Sequence, residues 1–160
     1  MLTPSCWHGV TTAVMGNCGV GFVSVADADR EWLIGLMEGV EDIPGAALSA
    51  GIRWGWQSFP QYLDALDRLP LAIDVGTHVP HGAVRAYVMG ERGARNEAAS
   101  AEDIALMAKL VREGSRPGPR LLDVTHHRAR GDRRGTVPGT FAAEDELFGI
   151  GQALAAAGTG

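Results

Sequence analysis

Gly9–Gly21, GVTTAVMGNCGVG, is the stretch on which the reading of the fold turns. Val10 to Met15 is an apolar run rich in β-branched residues, and it stops at Gly16. Cys18 follows at once, framed by Asn17 and Gly19. β-Branched residues suit a pleated strand, and glycines let the chain turn sharply and approach closely whatever a sulfur holds. The pattern predicts a strand that delivers one thiol into a glycine-cleared turn, an arrangement that presents a metal ligand or a nucleophile. A buried structural cysteine at a strand end fits the same letters, because free cysteine is among the most buried residue types.

Outward from that strand, apolar periodicities of helix and strand type alternate. Asp29–Glu38 predicts a helix with Trp32, Leu33, Leu36 and Met37 on one face, and Asp27 or Asp29 stands where a cap is needed. Ile43–Ala50 reads as a short helix closed by Gly51. Phe59–Leu69 reads as a third, opened by Pro60, with Tyr62, Leu63, Leu66 and Leu69 as its buried stripe. Pro70 stops it, and Leu71–Val79, LAIDVGTHV, predicts a second strand. Ser100–Arg112 is the clearest helix, with Ser100 and Asp103 placed to cap it and Ile104, Met107, Ala108 and Val111 on its apolar face. Leu121–Thr125 predicts a third strand, and Glu144–Ala157 a last helix ending at Gly158. Strands separated by amphipathic helices imply βαβ units, a parallel sheet and an α/β fold class.

Composition bounds the function. At 160 residues, 46% hydrophobic and 21% charged, the chain is long enough for one domain with its own core. A net charge of −5 argues against nucleic acid or an anionic membrane as partner. Cys6 and Cys18 are the only cysteines, too few for a disulfide framework, which points to a reducing, cytoplasmic compartment. No apolar run approaches the ~20 residues of a membrane span, and no signal peptide is expected at the N-terminus. One stretch departs from the pattern: Glu113–Arg134 holds six arginines against Glu113, Asp123 and Asp132. A nucleic-acid strip would interleave aromatic residues for base stacking, and this one has none. A solvated basic loop is the plainer reading.

His78 and His81 fall at the end of the second predicted strand, in THVPHGAVR. In parallel α/β sheets the carboxyl ends of the strands carry the site. Cys18 stands at the matching end of the first strand, so Cys18 and His81 would face one pocket. Sulfur and imidazole suit zinc, yet a catalytic zinc usually takes three protein ligands, and a histidine capping a loop has the same letters. His126 and His127 are adjacent, so on a strand they would point to opposite faces.

Five segments taken together carry more than any one alone: GVTTAVMGNCGVGF, LMEGVEDIPGAAL, GIRWGWQSFPQYLDAL, VPHGAVRAYVMGERG and VPGTFAAEDEL. As a set they resemble the N-acyl-D-amino-acid deacylases (D-aminoacylases) and their relatives, metal-dependent hydrolases of the amidohydrolase superfamily built on a (β/α)8 TIM barrel. The resemblance covers nearly the whole chain apart from about residues 114–136. It implies that Cys18 is a ligand of a catalytic zinc, the expected cofactor, and that the substrate is a small N-acyl-D-amino acid cleaved at its amide. It sets His81 and Arg85 where relatives carry a Gly-His-Ser-x-Leu-Arg-like segment lining the pocket mouth, which makes both candidate substrate-binding residues. Pro80, Gly82 and Ala83 depart from that segment, and a structural ion pair is the competing role for Arg85.

The resemblance also implies what lies elsewhere. A first-strand His-x-His pair belongs upstream of residue 1, and two later histidine ligands and an aspartate base belong beyond Gly160. No catalytic residue is therefore expected within 1–160. A whole barrel takes about 250 residues, so 1–160 is expected to be a piece of one hydrolase barrel domain, from about strand 2 to the helix after strand 4, inactive and poorly folded alone. Relatives carry a segment like GFSTSRTxxHxxxDGxP where this chain has residues 120–136. Codons can be written for those residues that, read two bases later, spell it, so 115–136 is expected to be an out-of-frame stretch. Two other readings stay open: a ring-opening amidohydrolase on the same scaffold, and a non-catalytic α/β product.

Overall fold

The computed structural model describes residues 1–16, 19–114, 124–125 and 136–158, and it pairs β1 (Thr12–Met15) with β2 (Asp74–Thr77) in parallel. Thr12 stands opposite Asp74 and Met15 opposite Thr77. A parallel pair needs a long crossover, and this one carries α2 (Arg30–Glu41), α3 (Gly45–Gly51) and α4 (Phe59–Asp67). The strand breaks at His78 and resumes as β3 (Val79–Pro80), which pairs in parallel with β4 (Val124–Thr125). Between β3 and β4 run α5 (His81–Met89), α6 (Glu91–Ala94) and α7 (Ala101–Gly114). A short turn of helix, α1 (Thr3–Cys6), precedes β1, and α8 (Glu144–Ala157) follows β4. The result is a mixed α/β architecture in which, among the described residues, both strand pairs are parallel. Among the described residues, no helix is long and apolar enough to cross a membrane.

The core forms where α7 meets α4, α5 and α8. Met107 and Val111 of α7, Val84 of α5, Phe59 and Leu63 of α4, and Ile150 and Ala153 of α8 are buried in one cluster with Val79 of β3. Amphipathic stripes of i, i+3 or i+4 spacing place these side chains on facing helix surfaces. Burying each of the larger side chains in this cluster contributes about 1.5–3 kcal/mol. The helices are also started deliberately. Ser58 accepts from the Gln61 backbone N–H, and the Gln61 side chain accepts in return from the Ser58 backbone, a capping box. Ser100 and Asp103 repeat the device on α7: Asp103 Oδ2 accepts from the Ser100 backbone N–H at 2.8 Å, and Ser100 Oγ accepts from the Asp103 N–H at 3.2 Å. The Ser100 backbone donor, opposed by burial and helped by the Ser100 hydroxyl and Arg92, holds the Asp103 carboxyl below its ordinary range. Ser100→Ala is expected to lower stability by about 1 kcal/mol, read as a shift in the urea midpoint at an unchanged slope.

Several sequence expectations need correcting. Leu69 is exposed, because α4 stops at Asp67 and the chain turns before Leu69 reaches the stripe. The helix expected at Ile43–Ala50 begins at Gly45, whose N–H is taken by the Glu38 carboxylate at 2.9 Å, and Gly51 is its last helical residue rather than a left-handed cap. Asp27 and Asp29 form a single 3-10 turn before α2 and make no side-chain capping bond. Asp27 instead pairs with Arg30. Ile34, missing from the expected face of α2, is buried with Leu33, while Trp32, Leu36 and Met37 are half-buried. The second strand is shorter than Leu71–Val79 and is split at His78. Of the third expected strand, Val124 and Thr125 are present. Residues 121–123 lie outside the described residues, as do Cys18, His126, His127 and most of the 115–136 stretch.

Candidate active site

Three pieces of chain converge at the carboxyl ends of β1 and β2. The first is the turn after β1, where Gly16 and Gly19 take φ of +88° and +75°, conformations that favour glycine. Cys18, between them, lies outside the described residues. The second is the start of α5, whose Gly82 N–H donates to Gly19 O at 3.3 Å. The third is the turn at Val137–Thr140, closed by the Thr140 N–H on Val137 O at 3.1 Å. Gly82 backs onto Pro138, and Gly139 lies against the His81 ring. The glycine-rich motifs of the sequence are thus neighbours in space.

Of the two histidines, His78 is the one beside the Gly16 turn. Its N–H donates to Met15 O at 2.9 Å, extending the ladder, and a Cβ on Gly16 would touch the His78 side chain. His81 is buried against Glu146 of α8. The sequence reading set His81 and Arg85 at a pocket mouth, whereas both are 1% exposed inside the protein. They sit one helical turn apart on α5, so both reach the same face toward α8. There Glu146 Oε1 accepts from His81 Nε2–H at 2.8 Å and from Arg85 Nε–H at 2.9 Å. The rest of the Arg85 fork is also engaged: Nη1 donates to Gly93 O at 3.1 Å, and Nη2 to Glu97 O. Burial pushes the Glu146 carboxyl upward, but the hydrogen bonds and charge of His81 and Arg85 outweigh it and hold the group below its ordinary value.

Two residues of this region escaped the sequence reading. Glu146 sits in an acidic first turn with Glu144 and Asp145, where carboxylates complement the helix dipole. Its position is nevertheless legible, because 146, 150 and 153 follow the i, i+4, i+7 spacing of the buried Ile150 and Ala153. Asn96, in the left-handed region at φ +57°, clasps the third piece of the site. Its Nδ2 donates to Thr136 and Val137, and its Oδ1 accepts from the Gly139 N–H at 2.8 Å.

Beside the Gly16 turn is a cavity of about 300 Å³. Met15, Gly16 and Val20 form one wall, and Met37, Ile52 and Trp56 form another. The Trp56 indole N–H donates to Phe22 O at 2.6 Å, and its ring lies 5.2 Å from that of Tyr62 and 5.5 Å from that of Trp54. Burial pushes the Tyr62 hydroxyl pKa up, opposed by its hydrogen bond with Thr77. A wider depression, lined by Thr12, Asp67 and Asp74 among others, opens at the amino ends of the same strands. Sites on parallel sheets lie at the carboxyl ends, which favours the smaller cavity.

As for metal ligation, among the described residues no three His, Cys, Asp or Glu side chains converge. A catalytic zinc usually takes three protein ligands, so these residues do not form a full donor set.

A family model described as the amidohydrolase family matches residues 3–159. The chain is 33% identical over 117 residues to a D-aminoacylase of Alcaligenes xylosoxydans xylosoxydans, covering 73% of this chain and 21% of that protein. It spans 21% to 24% of the length of the curated relatives it matches. Among solved structures, a D-aminoacylase mutant in complex with copper chloride superposes with a TM-score of 0.66 at 25% identity, covering 98% of this chain and 28% of that one. An N-acyl-D-glutamate deacylase of Bordetella bronchiseptica, complexed with zinc and a phosphonate that mimics the tetrahedral intermediate, shares the fold at 24% identity and a TM-score of 0.63, covering 92% of this chain and 26% of that one. With the family model running almost from end to end and its glycine turns gathered at the strand ends, this chain belongs to the amidohydrolase family, a family of hydrolases.

Proposed function

We propose that the chain is part of a metal-dependent hydrolase that cleaves the amide bond of N-acyl-D-amino acids, and that residues 1–160 correspond to strands 2 to 4 of its barrel with their helices. The observation that carries this reading is the place of the Gly16–Gly19 turn. It stands at the carboxyl end of a parallel strand and is tied by hydrogen bond to the start of α5. Cys18, which lies between those glycines in the sequence, is the one ligand this chain would give a zinc ion. Bound zinc would polarise an amide carbonyl and make a water nucleophilic near neutral pH.

The chain's own residues do the positioning. The Gly19–Gly82 hydrogen bond fixes the turn against α5. His81 and Arg85, gripped by Glu146, fix α5 against α8, and so act on the site through the backbone rather than by touching substrate. The stretch 115–136 fits the reading as an out-of-frame segment, which sequencing the coding DNA through and beyond this chain tests directly.

Two results are expected. The 160-residue chain with zinc releases no amine from N-acyl-D-amino acids, since one ligand does not make a hydrolytic centre. The longest product of the reading frame that carries the complete ligand set releases amine from the D enantiomer far faster than from the L, and Cys18→Ser in that product lowers both its zinc content and its rate. Equal rates on the two enantiomers, or zinc content indifferent to Cys18, would overturn the reading.

A further inference from the structure

We infer that the cavity between the Gly16 turn and Trp56 receives an aliphatic chain of the substrate, namely the acyl chain. The inference rests on the proposed amide hydrolysis for the identity of the headgroup, but the cavity argues for the chain by itself. Its lining contains no charged side chain. The polar atoms that do reach it are occupied: the Trp56 N–H by Phe22 O, and the Tyr62 hydroxyl by Thr77. A carboxylate or ammonium placed there would lose its water and gain no partner, whereas methylenes lose nothing. Arg30 is outside the lining and lies over the Trp54 ring at 5.1 Å.

Size and place fix the choice further. At 300 Å³ the cavity has about the volume of ten liquid waters, room for a short alkyl chain. Its wall includes Gly16 and Val20, the two residues that bracket residues 17–19. An acyl chain is bonded directly to the carbonyl carbon under attack, while the amino-acid side chain is two bonds further away, beyond the nitrogen. A cavity walled by the residues on either side of the segment that carries Cys18 in sequence is therefore placed for the acyl side of the scissile bond. The walls are built to hold shape: Phe22, Trp54, Trp56 and Tyr62 follow one another at centroid separations of 5.2–5.6 Å.

The test uses the longest product of the reading frame, the one that carries the complete ligand set, stripped of metal, with binding read from the Met37 methyl resonance. In one arm the acyl group of N-acyl-D-alanine is lengthened from two to eight carbons. In a second the acyl group stays acetyl and the side chain is lengthened instead. In a third, straight-chain carboxylates and alcohols carry no amide at all. The expected result is about a fourfold gain in affinity per methylene in the first and third arms, levelling off once the cavity is full, with a flat second arm. Gains confined to the second arm, or no chain-length dependence in any, would overturn the inference. Ile52→Trp, which fills the cavity, should abolish the gain, and Val20→Leu should make it level off at a shorter chain. If both variants fold and the dependence is unchanged, the cavity is not the site. Chain-length dependence with equal affinity for D and L headgroups would leave this inference standing while sinking the D-aminoacyl reading, so the two fail separately.

Discussion

Glu146→Ala is expected to cost the chain roughly 3–5 kcal/mol, the usual loss when one partner of a buried ion pair is removed. Arg85 and His81 would stay in place, both 1% exposed, with the oxygen that both donate to gone. Glu146→Gln keeps the shape but not the charge, so most of the loss should remain. The same carboxylate sets a pH dependence. Its folded pKa is held below that of an unfolded glutamate, about 4.3. The stability it contributes is therefore complete above that value and is lost as pH falls through the folded value. Urea titrations at pH 7 and at successively lower pH should show wild type losing stability in that acid range and Glu146→Gln losing distinctly less. A Glu146→Ala variant within 1 kcal/mol of wild type would contradict the cost assigned to this cluster.

Gly139→Ala is the second large effect. At φ +89° a side chain carries about 1–2 kcal/mol of backbone strain. The new Cβ would also stand 2.7 Å from His81 Nδ1 and 2.8 Å from Cε1. The ring has little freedom to retreat, because its Nε2 is fixed on Glu146. Overpacking of this kind adds about 1–3 kcal/mol, for a total near 3 kcal/mol. The two terms separate in a double-mutant cycle. In a His81→Ala background the clash is gone, and Gly139→Ala should cost only the backbone strain. Equal costs in the two backgrounds would show that the ring is not what Gly139 makes room for.

The parts of the fold legible in the sequence are those with a local cause. The apolar spacing of α8 and the glycine after it place that helix at Glu144–Ala157, and Gly158 does take the left-handed conformation. Ser100 with Asp103, and Pro60 at the start of α4, act as the letters suggest. What escaped depends on partners distant in sequence. Leu69 has the right spacing for the stripe and the wrong side of a helix end. The break at His78 arises where one strand passes from its β1 neighbour to its β4 neighbour, which no local pattern encodes. His81 and Arg85 were found by motif, but their burial depends on a carboxylate more than sixty residues away.

The Asn96 clasp has a consequence for how this chain tolerates change. The turn at 136–139 is held by a side chain that precedes α7, and the end of α7 is held by Gly114 against the Phe59 ring, where a Cβ would come within 2.6 Å. The described residues on either side of 115–135 are therefore anchored by groups outside that stretch. The entropic cost of lengthening such an excursion grows only slowly, about 0.6 kcal/mol per doubling. Changes to the letters between 115 and 135 that spare Val124 and Thr125 therefore leave these two anchors, and the meeting of Gly139 with His81, in place.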